Sequence, residues 1–234
     1  MSMYDAIVLH SGGMDSSICL ALSVEKFGAS RVLSLGFSYQ QRHRSELKAA
    51  ETMADFFGVK REIIDIPVLS GWNDSSLLDH HRSITTGEQG IPNSFVPGRN
   101  SLFLLVSAVF ARKIGVHRLY LGVMEREGAF SGYPDCRRSY VDLVQELVRL
   151  DIQDPHLLIE TPLISMTKAE TMEVAYSLGV LEFLLCHAIS CYHGIDLLGC
   201  RSCPACQLRN EGIRQWAESH PDYCLPVPFQ SLRV

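Results

Sequence analysis

The string His10-Ser11-Gly12-Gly13-Met14-Asp15-Ser16 follows a short apolar run, Ala6 to Leu9, and opens a stretch with apolar residues at helical spacing up to Phe27. A glycine pair between a strand and a helix lets the backbone come close to an anion. The unpaired N–H groups and the dipole of the helix start then favour negative charge. Phosphate binding is the chemistry such a loop supports. Asp15 and Ser16 fall at the helix start, where an Asp caps the helix or helps hold Mg2+ and a Ser donates to phosphate. An ordinary Gly turn with a Ser or Asp cap would use the same residue types, so the loop gains its meaning from the rest of the chain.

A second constellation lies near the other end. Cys191, Cys200, Cys203 and Cys206 form C-x8-C-x2-C-x2-C, with Gly199 and Pro204 to turn the chain tightly. Four thiolates suit tetrahedral Zn2+ in a structural site with every ligand position filled. C-x2-C-x2-C also occurs around [4Fe-4S] clusters, which stands as the rival. Clustered cysteines in a chain of 234 residues without a secretion signal favour metal over disulfides. Cys19 and Cys186 read as buried small apolar residues and Cys224 as a surface residue, while Cys136 is left open.

The elements that must position these groups alternate. Ala6 to Leu9, Val32 to Phe37 and Glu62 to Ile66 read as strands; Ser16 to Phe27 and Ser45 to Phe57 read as helices, each closed by a glycine. Helices follow at Asn100 to Ile114, Arg138 to Leu150, Lys168 to Leu178 and Ala205 to Glu218, with a strand at Arg118 to Val123. This βαβαβ order predicts an α/β fold, a parallel sheet flanked by helices, with ligands at the carboxyl ends of the strands. The expected division is a nucleotide domain over 1–185 and a C-terminal helical metal-bearing segment over 186–234. Ser70 to Phe95, rich in Gly, Ser, Asp, Asn and Pro, is too long for a plain connection and reads as a functional loop. A formal charge of −5 offers no overall attraction to nucleic acid. No stretch approaches the about 18 apolar residues of a membrane span, and no signal peptide is evident, so a cytoplasmic protein is expected.

SGGMDS resembles the SGGxDS signature of the PP-loop ATP pyrophosphatases, which adenylylate an acid while releasing pyrophosphate. It lacks the Lys of a Walker A motif, which disfavours γ-phosphate transfer. Further on come Tyr39-Gln40-Gln41-Arg42-His43, Gly90 to Asn100, Phe130-Ser131-Gly132-Tyr133-Pro134-Asp135-Cys136-Arg137, Glu160-Thr161-Pro162-Leu163, Lys168-Ala169-Glu170-Thr171 and Cys206-Gln207-Leu208-Arg209. In this order they resemble the 7-cyano-7-deazaguanine synthase (QueC) family over about residues 5 to 215. The resemblance implies an adenine nucleotide alpha-hydrolase-like, Rossmann-like fold. It also implies a homodimer that makes preQ0 from 7-carboxy-7-deazaguanine, ammonia and ATP, with Zn2+ on the four cysteines and Mg2+ accompanying ATP. The ATP segment it implies runs through His10, Ser11, Gly12, Gly13, Met14, Asp15, Ser16, Ser17, Ile18, Cys19 and Leu20.

Asp15, Ser16, Arg99 and Lys168 are the catalytic candidates, since charge near the α-phosphate stabilises the pentavalent transition state and the departing pyrophosphate. Arg42, His43, Phe130, Tyr133, Asp135 and Arg137 are the substrate candidates, with Phe130 or Tyr133 stacking on the base and Asp135 accepting from its guanine edge. The chain departs from the family pattern at Gln40, where a Gly is usual, and at Ala129, where an acid is usual with Glu127 nearby. Its 123–130 loop is also about two residues longer. Rival readings are a PP-loop enzyme acting on tRNA, a ligase that stops at the amide, and a nucleotide sensor without catalysis.

Overall fold

Strand β1, Ala6–Leu9, has all four residues buried and divides them between two layers. Ala6 and Val8 join one apolar cluster with Ile18, Met53, Leu163, Ile213 and Trp216, while Ile7 and Leu9 join a second with Leu33, Leu104, Val141 and Ile159. The period of two in a strand buried on both faces produces that split. A computed structural model describes residues 2–39, 45–68, 75–77, 85, 91–128 and 133–233.

Five strands form one parallel sheet: β1, β2 (Val32–Ser38), β3 (Lys60–Asp65), β4 (Arg118–Leu121) and β5 (Leu158–Glu160), in the order β3-β2-β1-β4-β5. Ile7 sits beside Leu33 on one side and Leu119 on the other. The order reverses at β1 and β4, and that switch point opens a crevice at the strands' carboxyl ends. Helices α1 (Met14–Phe27) and α2 (Ser45–Phe57) lie in the first layer and α3 (Arg99–Ile114) in the second. After α4 (Glu125–Gly128) comes α5 (Arg138–Ile152), which contributes Val141, Val144 and Val148 to the second layer. Then α6 (Lys168–Ser177), α7 (Leu181–His187) and α8 (Pro204–Ser219) complete the first layer, so the C-terminal segment shares the core of the phosphate loop.

The expected elements are present with shifted ends. Helix α1 starts two residues earlier than its apolar spacing suggests, because the turn residues Met14 and Asp15 are already helical. β3 begins at Lys60 and β4 stops at Leu121. Among the described strands and α-helices, three escaped the sequence reading: β5 has only three residues, too few for a period; the one-turn α4 lies in a stretch read as loop; and the short α7 begins just past the stop at Gly179. Most of the loop expected at 70–95 lies outside the described residues.

Two glycines permit the close packing at the crevice. Gly12 has φ +88°, and a Cβ there would lie 2.4 Å from the Glu46 carbonyl oxygen. Gly122, just past β4, would bring a Cβ to 2.8 Å from the Ser16 amide nitrogen. Because that contact is with backbone, Gly122→Ala should push the start of α1 off the sheet. The expected cost is about 1–3 kcal/mol, with weakened nucleotide binding. Denaturant midpoints and nucleotide titration at wild-type values would contradict the packing described.

Candidate nucleotide site and cysteine centre

The crevice holds a cavity of about 350 Å³, within the range of small-ligand pockets. Four helices begin on its wall: α1 at Met14, α3 at Arg99, α6 at Lys168 and α8 at Pro204. Each brings unpaired N–H groups and roughly half a positive charge to its first turn, so the cavity favours an anion before any side chain is counted.

The phosphate loop is braced from behind. Gly13 is the N-cap of α1 and offers no side chain to its N–H groups. His10 is buried, with Nδ1 2.9 Å from Ser34 Oγ and Nε2 3.1 Å from Ser17 Oγ. Ser17 donates its hydroxyl to the Gly13 carbonyl at 2.9 Å, so its oxygen is left to accept from Nε2–H, and Nδ1 accepts from Ser34. Arg61 Nη1 closes the network, donating to Ser34 Oγ at 2.9 Å and to the His10 carbonyl at 3.3 Å. Burial first, and Arg61 second, push the His10 pKa down to about 3, which keeps the imidazole neutral. Ser16 Oγ sits 3.1 Å from Ser11 Oγ and donates to the Gly13 carbonyl at 3.1 Å.

Asp15 does not cap α1. Its carboxylate accepts from Lys168 Nζ at 2.5 and 2.6 Å. Lys168 is buried as the first residue of α6, held there by a capping box in which Thr167 and Glu170 bond each other's backbone. Arg99 begins α3 after a left-handed Gly98. Burial opposes its charge, but Tyr39, Asp135, Tyr192 and Glu46 around it prevail and hold the guanidinium firmly protonated. Burial pushes the Glu46 carboxyl up to about 7 against the pull of Arg99, with Cys191 adding to the rise. Tyr133 and Tyr192 join hydroxyls at 2.9 Å, and Tyr133 meets Ser94 at 2.6 Å, making a polar seam along an otherwise aromatic wall that includes Phe37, Tyr39 and Phe103.

The four sulfurs of Cys191, Cys200, Cys203 and Cys206 all lie within 4.8 Å of one another. A tetrahedral ion with Zn–S of about 2.3 Å sets its sulfurs about 3.8 Å apart, so the set fits a single ion. A four-iron cubane carries its cysteines on the outside of the cluster and needs a wider frame. The turn is built for thiolates: Cys191 Sγ accepts from the N–H groups of His193 and Cys200 at 3.4 Å each, and Cys200 Sγ from the N–H of Cys203 at 3.2 Å. Hydrogen bonds from Cys203 and Cys206 hold Cys191 far below the usual thiol range. Arg209 is buried beside them and bonds Asn210 Oδ1 through Nε and Nη2 at 3.2 and 3.1 Å, bringing positive charge to the thiolates.

Of the sequence candidates, Ser11, Gly13, Met14, Asp15, Ser16, Arg99, Lys168 and Tyr133 line one cavity together with His10. Others do not. Ile18, Cys19 and Leu20 are fully buried in the first core layer, because α1 turns that face away from the crevice; Ser17 braces the loop from behind. Gly12 is off the wall, beneath α2. Asp135 is buried near Arg99 and is not on the described wall, and burial raises its pKa against the pull of Arg99. Arg137 is exposed as the N-cap of α5. Cys186 is only half-buried, and Cys136 lines the cavity. Arg42, His43 and Phe130 lie outside the described residues. Glu46, Ser190, Tyr192 and Arg209 also line the cavity, and the sequence reading gave none of them a role. Adjacency to cysteine ligands was the available signal for Ser190 and Tyr192.

A phosphate loop at the switch point of a parallel sheet, ringed by helix N-termini, defines a nucleotide-binding α/β protein of the PP-loop type. Among solved structures, NMN synthetase from Francisella tularensis shares the fold, with a TM-score of 0.52 over 97% of this chain and 90% of that one at 14% identity. The family model of the queuosine biosynthesis protein QueC matches residues 5–217, and the chain belongs to that family of ATP-utilising enzymes. No helix among the described residues is long and apolar enough to cross a membrane.

Purified protein is expected to carry one divalent ion per chain by elemental analysis, and Cys206→Ser, which removes a fully buried ligand, should lose the ion and several kcal/mol of stability. Full metal content in that variant would rule the centre out.

Proposed function

We propose that this enzyme converts 7-carboxy-7-deazaguanine, ammonia and ATP into 7-cyano-7-deazaguanine, with Zn2+ on the four cysteines and Mg2+ accompanying ATP. The observation that carries the reading is the ring of four helix starts with Arg99 and the Asp15–Lys168 pair beside an aromatic wall. A carboxylate is inert toward ammonia until one oxygen becomes a leaving group. Attack of that oxygen on the α-phosphorus releases pyrophosphate and leaves an acyl adenylate. Ammonia then attacks the carbonyl carbon, AMP departs with the C–O electrons, and one proton is lost as the amide forms. The amide oxygen then attacks the α-phosphorus of a second ATP, releasing pyrophosphate and an N–H proton, and departure of AMP with the C–O electrons and loss of the remaining N–H proton gives the nitrile.

In this mechanism Ser11, Gly13 and Ser16 bind phosphate oxygens, Lys168 and Arg99 offset charge on the α-phosphate, and Asp15 holds Lys168 or takes up Mg2+. Tyr133 and Tyr192 lie along the base. The proton from ammonia needs an acceptor. Asp15 is already engaged by Lys168, which leaves Glu46 as the remaining carboxyl on the described wall.

The reaction is tested by mass spectrometry of the metal-loaded protein with Mg-ATP, ammonium and 7-carboxy-7-deazaguanine. Nitrile, AMP and pyrophosphate should rise together. Amide alone would replace this reading with a truncated reaction, and absence of substrate-dependent AMP would end it. Glu46 works as a base only when deprotonated, so at constant free ammonia the rate should fall as pH drops through about 7. Glu46→Gln should lower kcat by about 10² and flatten that limb; an unchanged profile would remove Glu46 from the mechanism.

A further inference from the structure

One of the N–H groups at the start of α1 is not free for a ligand. Met14 N–H donates to Ser190 Oγ at 3.2 Å, across 176 residues of sequence. The neighbouring backbone is tied as well, with the Ile189 N–H donating to the Gly12 carbonyl at 3.0 Å. Two bonds therefore cross from the cysteine segment to the phosphate loop, and Ser190 Oγ would lie 3.7 Å from a Cβ on Gly13.

Ser190 has little freedom to leave. The next residue, Cys191, is buried, its sulfur is fixed by two backbone N–H groups, and it is one of the four ligands of the metal site. A hydroxyl accepts on its lone pairs and donates one hydrogen. With Met14 N–H on the oxygen, the Ser190 hydrogen has no acceptor among the described residues, and the side chain is half-buried on the cavity wall. An anion held by the first turn of α1 comes within reach of that hydrogen.

We propose that Ser190 is a phosphate-binding residue of the nucleotide site, delivered to the loop by the metal-binding segment. This rests on the nucleotide reading above and extends it to a residue outside the loop. The cysteine centre then has a task beyond stapling the C-terminal segment: by fixing Cys191 it sets where the Ser190 donor stands. Ser190 could instead act only as a cap for α1. A cap lost would lower stability and weaken all ligands alike, whereas a phosphate donor lost weakens only those that carry phosphate.

The test uses the full-length, metal-loaded chain and its Ser190→Ala and Ser190→Thr variants. Calorimetric titrations with Mg-ATP, inorganic pyrophosphate and adenosine are read beside metal content and thermal midpoint. Loss of one hydrogen bond to a charged acceptor should weaken ATP and pyrophosphate by on the order of tenfold or more in Ser190→Ala. Adenosine affinity and metal content should stay unchanged, and Ser190→Thr should bind close to wild type. Unchanged pyrophosphate affinity in Ser190→Ala, or an equal loss for adenosine, would overturn the assignment. A wild-type chain that bound neither ATP nor pyrophosphate would bring down the nucleotide reading itself, a result distinct from failure of the Ser190 role alone.

Discussion

The structure depends on an electrostatic constraint at the carboxyl edge of its sheet. Four helix starts, with Arg99, Lys168 and Arg209, direct positive potential into one cavity. Left uncompensated, that concentration of charge would oppose the packing that creates it. Compensation comes in layers. Asp15 takes Lys168, while Glu46 and Asp135 stand near Arg99, and the cysteine thiolates lie against Arg209. The described wall carries only two carboxyls, Asp15 and Glu46, and Asp15 is engaged by Lys168, so positive potential remains available to a polyanion.

Rigidity around the cavity comes from neutral polar groups. His10 uses both ring nitrogens to bind Ser34 and Ser17, and burial keeps it uncharged across any physiological pH. It ties β1, β2 and α1 together immediately behind the glycines without adding charge where phosphate is expected. On the opposite side, Ile189 and Ser190 hold the loop by backbone and hydroxyl. The loop is thus shaped in the absence of a ligand, which reduces the ordering cost of binding.

Much of this was legible in the sequence because it was local. The strand-loop-helix of residues 6–27 and the glycine-closed helix Ser45–Phe57 follow from short-range spacing, and the cysteine spacing foretold a cluster that the fold assembles. What stayed hidden depends on distance in three dimensions. Ile18, Cys19 and Leu20 sit in the same continuous run as the phosphate loop, yet a helix turns its successive residues to different faces, and theirs is the core. The Asp15–Lys168 pair joins residues 153 apart. Arg209 could not be read as a cavity residue until α8 was seen to start at the crevice, one turn before it. Asp135, read as a substrate contact after a Gly-Tyr-Pro turn, is buried in a 3-10 turn near Arg99, a neighbour 36 residues away in sequence.

The span between Met14 and Ser190 also bears on how the protein is made. A chain emerging from the ribosome exposes its phosphate loop long before it has Ser190 or any of the four cysteines. Nucleotide cannot serve as a template for the early sheet, since a wall of its cavity has not yet been synthesised. The early strands must instead find their register through apolar layers and the His10 network. The C-terminal segment then completes the first apolar layer through Ile213 and Trp216 and brings Ser190 to the phosphate loop.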